Sequence, residues 1–240
     1  MSGSSGSRRL ARRARTIVAT GRHLEIGVLS GRRVVDRHLV EMDGSILCGA
    51  ESVAGNCFEA LLRGAPSPEI HLEAVDVSSV PQPDRQRGSV WARGRVELVT
   101  RPLPVPMRSM LGLTCVEPVL RFRPESVTVR EGMYGQTAPV PIDIGVYRDE
   151  CEDRLAGWEG AWLTHLDAGH ADAVRWLAAT RMTLRPEARV HPLLVDEEGV
   201  VLRVYQDGTI TDLRLGFPWP ALCGCSAVAA FDALLVELRA

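Results

Sequence analysis

Lysine does not occur once in the 240 residues, and all 28 basic residues are arginine. Its absence excludes Schiff-base catalysis, a lysine general base and a lysine-bearing phosphate loop. Any grip on an anion must come from guanidinium or backbone N–H groups. A coding bias toward arginine explains most of the pattern, because 28 sites do not all need a guanidinium. No apolar run approaches the roughly 18 residues that a membrane span needs. The first 20 residues lack the apolar segment of a secretory signal. Cysteines 48, 57, 115, 151, 223 and 225 are too few for a disulfide framework in a chain this long. These absences lead us to expect a soluble cytoplasmic protein with reduced thiols. Gly-x-Ser-x-Gly and Gly-rich phosphate loops are missing, and no carboxylate pair has a context that would split two pKa values.

The chain does carry 45% apolar residues and a net charge of −2. Its length allows one large domain or two small ones. Near-neutral charge argues against general nucleic-acid binding. The sign is uneven, however. Residues 1–40 hold nine arginines against Glu25 and Asp36, a balance of +7, which leaves −9 for the other 200. Such a basic N-terminal helix could touch nucleic acid or an anionic surface; a solvated helix on an acidic body is the expected result.

Met1 to Ser7 is Gly/Ser-rich and reads as a disordered leader. Arg8 to Thr20 reads as a helix with Leu10, Ala14, Ile17 and Val18 on one side. From His23 the period changes to two. Strands are predicted over His23–Leu29, Arg33–Glu41, Ser45–Cys48, Glu69–Val77, Ser89–Val99, Val119–Val129 and Val140–Val146, with Asp43-Gly44 as a hairpin turn. A helix capped by Ser52 carries Val53, Phe58, Leu61 and Leu62, and a short helix follows Pro106. Asp149 to Thr180 contains no proline and reads as helical. Three short strands follow, Ala188–Val195, Val200–Gln206 and Thr209–Leu215. Ser226 is the expected cap of a last helix, Ala227–Leu238. The order gives an α+β chain, with a small β-barrel over residues 1–148 and an α+β unit over 149–240.

Two stretches carry a family resemblance. One is Glu159-Gly-Ala-Trp-Leu-Thr-His165-Leu-Asp167-Ala-Gly169-His170-Ala-Asp172. The other runs from Arg189-Val-His-Pro through Asp196-Glu-Glu-Gly199 to Phe217-Pro218. Together they resemble the C-terminal domain of the HugZ-like haem-utilisation family, in particular its shorter actinobacterial members. The family pattern has Asn where this chain has Asp167, and Asp where it has Gly169. The resemblance implies an FMN-binding-like split β-barrel of the pyridoxamine-phosphate-oxidase type, followed by a small helix–β–β–β–helix domain. It implies haem as the cofactor rather than FMN, because the barrel's flavin-phosphate grip uses an arginine and a lysine. It also implies a homodimer, with haem or a haem-pathway protein as partner and no membrane or nucleic acid. The expected function is non-catalytic haem-associated binding or regulation. The alternatives are a haem-degrading oxygenase, an interaction module in tetrapyrrole biosynthesis and, last, a flavin oxidoreductase. In haem-degrading members the axial histidine lies on a tail after the last helix, where this sequence stops at Ala240, so that ligand does not carry over.

The candidate cofactor-binding residues are His165, His170, Asp167, Arg93 and Arg95. On one continuous helix, five residues turn through about 140°, so His165 and His170 would not share a face. His170 would then fall on the apolar stripe of Leu163, Leu166 and Leu177. Either histidine could meet a haem or a metal; packing against a carbonyl is the alternative. Asp167 and Asp172 could orient His165 or pair with Arg175. Trp158 and Trp162, four apart, can stack as an aromatic wall or as core. Arg93/Arg95 and Arg121/Arg123 each point to one strand face and could meet propionates or phosphates, or simply pair with Glu97 and Glu125. Cys223-Gly-Cys225 reads as a turn before a helix rather than a metal site.

Overall fold

The computed structural model describes residues 2–21, 23–28, 31–53, 57–132 and 137–238. They form two compact units. The first, the barrel unit, comprises residues 1–76 and 88–152; the second, the C-terminal unit, comprises 77–87 and 153–240.

The barrel unit begins with α1 (Ser2–Thr20). The stretch read as a disordered leader is thus helical from Ser2, and Met1 lies outside the described residues. The physical reason is cooperativity: Arg8–Thr20 carries the cost of nucleation, and extending that helix through Ser and Gly costs only about 0.5–1 kcal/mol per residue. Ala11, Ala14, Ile17 and Val18 are buried in the unit's main core.

Strands β1 (His23–Val28), β2 (Gly31–Val34), β3 (His38–Val40), β4 (Ile46–Gly49), β5 (Ile70–Val77), β6 (Gln86–Leu98), β7 (Val119–Glu131) and β8 (Val140–Ile142) form one curled antiparallel sheet. The order is β2-β1-β5-β6-β7-β4-β3, with β8 on β7. Strand β5 alternates buried and half-buried residues along its whole length, as one core face and one wet face require. The predicted strand Arg33–Glu41 is instead two. Val35 leaves the ladder, is buried and donates its N–H to the Leu24 carbonyl at 2.8 Å. Gly44, at φ +81°, makes the turn between β3 and β4. Strands β6 and β7 slip register between Arg93 and Gly94, and a Cβ on Gly94 would strike the Arg123 carbonyl.

The helix expected from Val53 is a 3-10 turn (Ala50–Ser52) and then α2 (Cys57–Leu62); residues 54–56 lie outside the described ones. The helix after Pro106 is α3 (Val105–Met110). The strand predicted over Val140–Val146 stops at Ile142. Asp143 turns the chain into α4 (Ile144–Asp149) by accepting the Val146 N–H at 3.0 Å.

The C-terminal unit contains α5 (Ala156–Gly169), α6 (Ala171–Ala179), the antiparallel strands β9 (Arg189–Asp196), β10 (Gly199–Gln206) and β11 (Thr209–Gly216), and α7 (Gly224–Glu237). Asp207 and Gly208 both have positive φ and close a two-residue hairpin between β10 and β11. The helical reading of Asp149–Thr180 fails over 150–155, where Asp153 accepts the Leu155 N–H at 2.8 Å. Cys223, not Ser226, is the cap of α7. Its sulfur accepts the Ser226 N–H, while the Ser226 hydroxyl accepts the Cys223 N–H at 2.9 Å. The turn reading of Cys223-Gly-Cys225 stands. Segment 77–87 is held here by two long-range ties. Arg87 forks onto buried Glu159 at 2.6 and 2.8 Å. Fully buried Arg203 forks onto Asp212 at 2.6 and 2.7 Å and also reaches the carbonyls of Asp84 and Gln86 at 2.9 Å.

Among the described residues, no helix is long and apolar enough to cross a membrane.

Candidate functional site

The strand arginines are already engaged with the protein. Arg95 is exposed and pairs with Glu125 at 3.2 Å. Arg93 is exposed and donates to the Ser126 hydroxyl at 3.3 Å. Arg121 reaches Glu41 at 2.5 and 2.9 Å and Glu97 at 3.0 Å. Arg123 reaches Glu97 at 2.8 Å. The Glu97 carboxyl is held below its ordinary range chiefly by the hydrogen bond from Arg123. The same carboxylates raise the Arg121 guanidinium, with its bond to Glu41 the largest cause. This face is a mixed-charge ladder rather than a bare anion grip.

Four of the five arginines of α1, at 9, 12, 13 and 15, are equally engaged, which corrects the picture of a solvated basic helix. Arg9 forks onto Glu131 with both bonds at 2.6 Å, Arg12 reaches Glu150 at 3.2 Å, and buried Arg13 pairs with buried Asp76. Arg15, 1% exposed, donates to the carbonyls of Glu41 and Met42 at 2.7 and 3.1 Å and lies over the Tyr147 ring. Charge counting along the sequence could not show these carboxylates, because Glu131 and Glu150 lie more than 100 positions away and Asp76 lies 63 away.

The histidines behave differently. Helix α5 ends at Gly169, and His170, at φ −135° and ψ 30°, caps it and opens α6. The His170 N–H donates to Leu166, and its carbonyl accepts from Val174, both at 3.0 Å. This break cancels the 140° rotation expected of a continuous helix. His165 and His170 are both exposed, and their Nε2 atoms stand 3.1 Å apart. Their ring centres are 4.8 Å apart at an interplanar angle of 70°. His170 is therefore not a packed core residue. The signal that could have shown this is Gly169, since a glycine so placed marks a helix end.

Asp167 does not orient His165 or pair with Arg175. It meets Nδ1 of His191 on β9 at 2.8 Å, a partner that sequence spacing gave no reason to choose. Arg175 is bound to the carbonyls of Arg185 and Ala188. Trp158 and Trp162 do stack, with centres 5.0 Å apart. Trp162 is buried against Phe231, however, so the pair is core rather than an exposed wall. Trp176 takes the outward role. With His170, Asp172, Gly169 and the alanines at 168, 171 and 173, it lines an open pocket of about 640 Å³. Among the described residues, no group of three or more His, Cys, Asp or Glu could hold a metal ion.

No protein-family model matches this chain, and no curated protein matches it. Solved structures do resemble it. A heme binding protein from Mycobacterium smegmatis shares 20% identity and superposes at a TM-score of 0.58, covering 96% of this chain and 97% of that one. A protein of unknown function from Agrobacterium tumefaciens str. C58 shares 16%, at 0.35, with 94% of each chain covered. An FAD binding protein from Mycobacterium smegmatis shares 14%, at 0.30, covering 55% of this chain and 98% of that one. The first of these shares its fold with this chain along nearly the whole length of both. The α+β split-barrel class with a following helix–β–β–β–helix portion is thereby shown.

Proposed function

We propose that this chain is a haem-associated binding or regulatory protein that works without flavin in haem metabolism, with His165 and His170 facing the iron. The observation that carries the reading is the exposed contact between His165 and His170, the latter lining an open pocket. It sits on a fold shared along nearly its whole length with a heme binding protein.

The residues suit the group in part. His170 lines the pocket and would hold the iron through an imidazole nitrogen. Trp176 and the neighbouring alanines give apolar surface, and about 640 Å³ lies within the roughly 300–1,000 Å³ of small-molecule sites. Asp172, which also lines the pocket, would repel the haem carboxylates. The two nitrogens, 3.1 Å apart, are too close together for both to hold one haem iron. His170 would therefore hold the iron, with His165 standing beside it. A bound haem would supply an iron centre whose properties this ligand and its surroundings tune. The absence of lysine and the carboxylate-paired arginines of β6 and β7 support a reading without FMN.

Hemin titration tests it. The expected result is a Soret shift in the native protein that is lost in the His165→Ala/His170→Ala double variant. The reading also carries a cytoplasmic homodimer, for which light scattering should give twice the chain mass.

A further inference from the structure

We propose that His165 and His170 together chelate one divalent late transition metal ion (zinc, nickel or copper) through both Nε2 atoms. The proposal does not depend on the haem reading, because a hydrated metal ion takes both nitrogens at once and a haem iron takes one.

The geometry carries it. The nitrogens are 3.1 Å apart and the ring centres 4.8 Å apart, so the two Nε2 atoms are the near ends of the rings. With about 1.15 Å from ring centre to nitrogen, axes converging symmetrically at these separations meet about 2.1 Å beyond each Nε2, a zinc–imidazole bond length. The corresponding N–metal–N angle is about 95°, within the range of four- to six-coordinate ions. A linear N–H···N bond between opposed rings would hold the centres further apart, at about 5.4 Å.

The backbone fixes the arrangement in advance. His165 lies on the last turns of α5, and the backbone of His170 is bonded into both α5 and α6. Both rings are exposed, so water can fill the remaining coordination positions. The nearby carboxylate of Asp167 is taken by His191 at 2.8 Å, so the site is a two-ligand one. Neutral imidazole donors favour copper, nickel and zinc over magnesium or calcium.

The test is calorimetric titration of chelator-treated full-length protein with Ni²⁺, with Mg²⁺ as control. The expected result is one Ni²⁺ per chain, no heat from Mg²⁺, and at least about tenfold weaker Ni²⁺ binding in His165→Ala or His170→Ala alone, since each removes one arm of the chelate. His191→Ala should keep native affinity. No Ni²⁺ binding by the native protein, or undiminished binding by the double variant, overturns the proposal. Both histidines are exposed, so the variants should keep the native far-UV spectrum and melting temperature. Hemin titration of the same samples reads the haem site separately. Nickel binding without a Soret shift removes the haem reading alone, and the reverse removes this one.

Discussion

In the barrel unit Arg9, Arg12, Arg13 and Arg15 of α1 and Arg121 and Arg123 of β7 end on carboxylates or carbonyls of the same unit, whereas in the C-terminal unit His165 of α5 and His170 at the start of α6 end on each other. Arg9, Arg12 and Arg121 each have an acidic partner within 3.2 Å, and Arg15 is enclosed by carbonyls and the Tyr147 ring. His165 and His170 share one contact at 3.1 Å and otherwise face solvent. A charged group whose partner is internal is committed to the fold. A polar group exposed beside an open pocket is free to meet something else. Charge density along the sequence points to α1, and the structure moves the functional question to a stretch with no unusual composition.

The comparison can be pressed with substitutions that differ in how far each group is committed. Glu159→Ala should be the most costly. It leaves the buried Arg87 guanidinium without its carboxylate and the Val195 N–H without its acceptor at 2.9 Å, so a loss of about 3–5 kcal/mol is expected in urea unfolding. Arg15→Ala removes two charge-assisted bonds to carbonyls and leaves a cavity under Tyr147. About 2–3 kcal/mol should be lost, and a solvated-helix account would predict almost nothing. Arg95→Ala breaks an exposed pair with Glu125. It should change stability by less than about 0.5 kcal/mol and leave hemin titration as it was.

The thiols extend the same contrast to pH. Burial pushes the Cys48 thiol up to about 12, with the nearby Glu51 charge adding to the effect. Cys223 is lowered, first by its hydrogen bonds with Ser226 at the start of α7. The thiolate is the reactive form. In the native protein Cys223 should therefore alkylate readily, while Cys48 stays protected until the pH nears 12 or the chain unfolds. Mass spectrometry after brief iodoacetamide treatment checks both. Equal labelling of the two sites at neutral pH would contradict the burial of β4.

Local chemistry was the most legible in the sequence. Asp43-Gly44 and Asp207-Gly208 announce hairpins because Gly44, Asp207 and Gly208 take positive φ values that few other residues tolerate. The alternation of β5 is a direct imprint of one buried face. What stayed hidden depends on partners distant in the chain. Segment 77–87 joins the C-terminal unit through Arg87–Glu159 and Arg203–Asp84, pairs separated by 72 and 119 positions. Asp143 ends β8 through a cap that strand periodicity cannot show. Within the candidate site, His165 and His170 were identifiable as residues, but their meeting was not. Periodicity assumes that a helix continues, and the break at Gly169-His170 brings the rings together.

The central claim is that the exposed histidine pair is the ligand-facing feature of the molecule. Its most direct test is the visible spectrum of purified protein titrated with hemin, native beside the His165→Ala/His170→Ala variant. The account predicts a saturable Soret shift in the native protein and none in the variant, with the melting temperatures of the two alike. No shift in the native protein, or the same shift in both, would contradict it.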